Sequence, residues 1–78
     1  MTLNQHEKDT IARLRYEAKQ HRAKAREMRR LAKEARERYD WLRNFRLTSW
    51  ASERTMIAKA CEREIRAIRE PYQQEATR

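Results

Sequence analysis

"KQHRAKAREMRRLAKEARER", residues 19–38, decides how the rest of the chain is read. It holds no glycine or proline, and Ala, Arg, Lys and Glu dominate it, residues that lose little on entering a helix. Read outward in both directions, its apolar positions fall into one column: Ile11, Leu14, Ala18, His21, Ala25, Met28, Ala32, Ala35, Tyr39 and Leu42. The spacings alternate between three and four, which is the a/d seam of a heptad pattern. That periodicity predicts a helix from about residue 4 to about 46, roughly 60 Å long. Asn4 with Glu7, or Thr2 with Gln5, would cap its start.

The next interruption in helical character is "RLTS", residues 46–49, where Thr48 and Ser49 are residue types that favour an N-cap. A second helix is expected from about 50 to 70, with Ile57, Cys61, Ile65, Ile68 and Tyr72 as its apolar face, widened by Met56 and Ala60. Pro71 should end it, because proline lacks the amide donor and restricts the residue before it. Residues 71–78 are then a frayed tail. The fold class is all-α: a single antiparallel helical-hairpin domain over residues 1–78, coiled-coil-like.

On those boundaries the short helix covers only the C-terminal half of the long one, where Leu31 and Phe45 widen the apolar arc. The seam of Ile11, Leu14, Ala18, His21, Ala25 and Met28 is left open. Two helices bury too little to offset about 1.5 kcal/mol of ordering per residue. A homodimer through the long helix, with a four-helix middle, is therefore expected. The rival is a monomer that docks the seam, with Trp41, on a foreign protein.

Composition bounds the partner. The formal charge is +8 on 78 residues, and Arg outnumbers Lys. Residues 1–46 carry nearly all of the excess, so an acidic partner would meet the first helix. Charges there are sorted: Arg15, Lys19, Arg22, Arg26, Arg29, Lys33 and Arg36 occupy successive b and e positions, with Arg30 beside them. Glu17, Glu27 and Glu34 project elsewhere. Glu53, Glu62, Glu64 and Glu70 on the second helix offer partial neutralisation. Guanidinium forks match phosphate oxygens, so nucleic acid, DNA or RNA, is the favoured partner, and an acidic protein surface is the other. The alternative to nucleic-acid binding is a protein-interaction module, an inhibitor or assembly adaptor of phage or plasmid type.

Other classes are disfavoured. The basic half has mainly alanine on its apolar face, too little to anchor a membrane-surface helix. One cysteine permits no internal disulfide and no zinc cluster, and no metal or other cofactor is expected. No phosphate loop, activated nucleophile or arranged carboxylate pair appears, so neither an enzyme nor a small-molecule substrate is expected. Cys61 reads as a small core residue. The absence of an apolar leader at the start points to a cytoplasmic setting. Trp41 turns away from the seam, either folding against Trp50 or serving as a base-stacking platform beside Arg43 and Arg46.

Overall fold

The computed structural model describes residues 2–76, and side chains over 2–73. Two helices, α1 (Gln5–Glu37) and α2 (Trp41–Ala76), run antiparallel in a flat rod measuring 57 × 22 × 12 Å. The start of α1 is the Asn4/Glu7 capping box. The Glu7 amide donates to Asn4 Oδ1 at 2.8 Å, and the Asn4 amide donates back to Glu7 Oε1 at 3.1 Å.

The turn is Arg38-Tyr39-Asp40, eight residues before the expected break. It has the bonds of a Schellman ending: the Tyr39 amide donates to Arg36 O, and the Asp40 amide reaches back to Ala35 O at 2.8 Å. That closure needs a left-handed residue, and Tyr39 supplies it with φ 61°. Asp40 then caps α2, its carboxylate accepting from the Arg43 amide at 3.1 Å. Asn44 ties the two helices together just above the turn, donating from its side chain to Ala32 O at 2.8 Å.

Moving the turn changes which residues share a face. α2 is as long as α1 and covers all of its seam. Its own column is Leu47, Ala51, Arg54, Ala58, Cys61, Ile65, Ile68 and Tyr72, again spaced by three and four. Two polar pairs show the antiparallel stepping. Arg22 bonds to Glu62 and Arg29 to Thr55, so seven steps along α1 match seven steps back along α2. The bond from Asn44 to the Ala32 carbonyl, the bond from Tyr72 to Glu7 and the packing of Ala18 with Cys61 set the levels, so that Ala25 and Ala32 of α1 alternate along the seam with Ala51 and Ala58 of α2. All four are buried, Ala51 and Ala58 completely. With no side chain larger than a methyl at these four positions, the backbones can pack toward the close end of the 8–10 Å range. The larger apolar residues gather toward the open end, where Ile11, Leu14 and Ala18 pack with Ala58, Cys61 and Ile65, flanked by Leu3 and Ile68.

Several expectations are corrected here. The long helix does not run to residue 46, and Thr48 and Ser49 lie inside α2 rather than capping it. Pro71 does not stop α2. It sits on an exposed side of the helix, which continues through Ala76; the rest of the expected tail, residues 77 and 78, lies outside the described residues. Ile11, Leu14, Ala18 and Ala25 are not an open seam but the buried side of α1, so the grounds for a dimer through that seam disappear. Tyr39, Leu42 and Phe45, 78%, 61% and 68% exposed, leave the core, because the turn comes before two of them and takes up the third. Met56, Ile57 and Ala60 lie off the buried column of α2 for the same reason: Ala58 holds the core position.

Candidate nucleic-acid interface

In an antiparallel pair the e columns of both helices flank one side of the seam. Arg22 with Glu62, and Arg29 with Thr55, are such pairs. The side therefore carries the b and e columns of both helices. From α1 come Lys8, Arg15, Lys19, Arg22, Arg26, Arg29, Lys33 and Arg36. From α2 come Lys59, Arg66 and Arg69, with Thr48, Ser52 and Thr55 nearer the turn. Among the described residues the single carboxylate on this side is Glu62.

The geometry shows which charges are already used. Arg22 grips Glu62 with both arms, Nε to Oε1 at 2.8 Å and an Nη to Oε2 at 2.9 Å. Both side chains are about two-fifths exposed, so the pair contributes at most about 1 kcal/mol. Arg29 donates to Thr55 Oγ1 at 2.9 Å, which leaves its charge unneutralised. Arg15, Lys19, Arg26, Lys33 and Arg36 are exposed, and among the described residues none of their side chains has a hydrogen bond or ion pair. A shallow groove of about 310 Å³ lies between them, floored by Ala18 and Ile65 and walled by Arg15, Lys19, Arg22, Arg26 and Glu62.

Arg30 departs from the expected set. It points to the helix exterior and pairs with Glu34 at 3.1 Å, which draws its guanidinium off the stripe. Of the acids expected to neutralise the stripe from α2, Glu53 and Glu64 lie across the seam from it, whereas Glu62 meets it at Arg22. Lys59, Arg66 and Arg69 are not recognisable from the sequence, because their columns are defined only once the turn is placed at residues 38–40.

The opposite side is charge-balanced. Arg13 pairs with Glu17 and Lys24 with Glu27 along α1 itself. Trp41 does not fold against Trp50. Its ring meets Tyr39 edge-on, centroids 6.3 Å apart at 70°, and it occupies the e column of α2 with Phe45 in the neighbouring b column. Both are more than half exposed, so aromatic faces stand at the turn end of the basic side. Arg43 and Arg46, the expected neighbours of a stacking platform, lie in columns on the other side.

Two seam residues with chemical potential are committed to packing. His21 Nδ1 lies 3.0 Å from an Arg54 Nη, and since a guanidinium only donates, the ring nitrogen accepts. Cys61 is buried, and that burial, followed by the negative charges of Glu17 and Glu64, pushes its thiol up from the ordinary range. A thiol so placed is a poor nucleophile. The described residues contain no cluster of His, Cys, Asp and Glu suited to a metal ion, and no helix long and apolar enough to cross a membrane.

Comparison with known proteins finds no matching family model, no matching curated protein and no matching solved structure.

Proposed function

We propose that this chain is a non-enzymatic binding protein that holds nucleic acid along the basic side of its hairpin. The observation that carries the reading is the sorting of charge: among the described residues, cations run along both helices from Lys8 to Arg36 and from Lys59 to Arg69, against one carboxylate. A packing role alone does not account for this, since among the described residues most of these cations lack a side-chain partner while the opposite side balances its own charges. Arg15, Lys19, Arg26, Lys33 and Arg36 would contact phosphates. Arg22 and Arg29 are held in place by α2 and would be positioned before binding. Trp41 and Phe45 offer stacking faces for unpaired bases at one end. The site has no feature that reads base edges, so the binding is electrostatic and tolerant of sequence.

Docking of the α1 seam on a foreign protein has lost its support, because α2 fills that seam. The test is a gel-shift titration with duplex DNA and structured RNA, using wild type and an Arg15/Lys19/Arg26→Glu variant. Wild type should shift the probe at low salt and the variant should not. No shift by wild type below about 10 μM, where even nonspecific binders engage, overturns the reading.

A further inference from the structure

α2 carries exposed apolar residues on a second side. Away from the hairpin seam, Leu42, Arg46, Ser49, Glu53 and Met56 form a second column with spacings of four and three, and Trp50 and Ile57 stand beside it. All are exposed: Leu42 and Met56 by more than three-fifths, Trp50 by half. The centre of this column lies at Ser49 and Trp50, and its halves mirror each other in kind but invert in charge. Moving outward in one direction gives Arg46 and then Leu42; the other direction gives Glu53 and then Met56. The side chains of Arg46 and Glu53 have no ion pair or hydrogen bond within the hairpin among the described residues.

We propose that this face is the contact between two copies of the chain, with the two α2 helices antiparallel about a two-fold axis near Ser49 and Trp50. That symmetry sets Arg46 opposite the partner's Glu53 and Leu42 opposite the partner's Met56, each twice. It also brings the two Trp50 rings together beside the axis. A foreign partner would have no reason to match an inverted charge pattern, whereas a second copy matches it by construction.

The exposed area agrees. The hairpin presents 6416 Å² to solvent, against roughly 5,100 Å² expected for a folded monomer of its 9.6 kDa mass. The excess, about 1,300 Å² on each chain, is more than the roughly 600–1,000 Å² that a standard interface removes from each partner. The pairing leaves the basic side out of the contact, so it does not depend on the nucleic-acid reading.

Sedimentation of the full chain tests the pairing by charge reversal. Arg46→Glu and Glu53→Arg should each raise the dimer dissociation constant about tenfold or more, since each sets like charges opposite one another twice. The double variant R46E/E53R should return to within about threefold of wild type, because the attraction is restored with its sign exchanged. Trp50→Ala should weaken association about tenfold without altering either charge. Far-UV circular dichroism should show unchanged helicity throughout, as none of these side chains supports the hairpin seam. A wild-type monomer at about 100 μM, beyond the micromolar limit for such interfaces, overturns the proposal and leaves the face to a foreign protein. Single reversals without effect, or a double variant no better than the singles, also overturn it. Gel shifts run in parallel separate this outcome from the fate of the basic side.

Discussion

Tyr39 carries more of the architecture than any other exposed residue. Its left-handed backbone ends α1, yet it has a Cβ that resists that conformation at about 1 kcal/mol. Glycine has no such penalty at this helix-terminating position. Tyr39→Gly should therefore stabilise the hairpin by about 1 kcal/mol in a urea melt, even though it removes the ring that packs on Trp41. Asp40→Ala, by removing the cap of α2, should cost about 1 kcal/mol. Thr48→Ala should fall within about 0.5 kcal/mol of wild type, because Thr48 is an exposed mid-helix residue. A large loss there would move the turn back to residues 46–49. At the open end, the Tyr72 hydroxyl donates to Glu7 Oε1 at 2.6 Å. That bond, with the Asn4 amide, holds the Glu7 carboxyl below its usual range. A depressed carboxyl pKa means stability that is complete above the ordinary glutamate range and lost as pH falls through the lowered value. Thermal melts of wild type and Tyr72→Phe should thus differ most near neutral pH and converge in acid. A gap that widens in acid would contradict the assigned bond.

At the scale of the helices, close approach depends on alanine. Ala25→Leu puts a branched side chain into the buried seam and should cost about 1–3 kcal/mol by overpacking. Ala23→Leu, on the exposed side of α1, should change stability by less than about 0.5 kcal/mol. Equal costs at the two positions would deny the tight seam. The α1 column is legible in the sequence as far as Ala35, since heptad spacing and helix-forming residues agree there. The turn is not. It has no glycine, its left-handed residue is a tyrosine, and Tyr39 and Leu42 happen to extend the α1 spacing beyond the helix. α2 misleads for a related reason: the bulk of Ile57 and Met56 suggests a core, while the core positions go to Ala51 and Ala58. Pro71 misleads because proline breaks a helix by removing one amide donor, and at an exposed position water can satisfy the carbonyl left free. The basic stripe of α1 is legible as a column, and the α2 half of the same side follows only from the true turn.

Across the whole molecule, the two-helix width of the basic side is what separates the proposed mode of binding from that of one basic helix. Lys59→Glu with Arg66→Glu should weaken nucleic-acid binding about as much as a pair of reversals on α1. It should also flatten the dependence of log K on log salt by about 0.9 for each phosphate the protein no longer engages. Arg13→Glu with Lys24→Glu, on the charge-balanced side, should leave that slope unchanged. If only the α1 cations matter, the ligand lies along one helix.

The register has a consequence for how the chain folds. Its cross-helix bonds enclose progressively longer stretches of chain: Ala32 to Asn44, then Arg29 to Thr55, Arg22 to Glu62 and finally Glu7 to Tyr72. Each closure shortens the loop the next must close, so ordering spreads like a zipper from residues 38–40 outward. Opening should run the opposite way. Amide hydrogens near Glu7 and Tyr72 should exchange fastest and those near Ala32 and Ala51 slowest, which makes the two termini the first parts of the hairpin to separate.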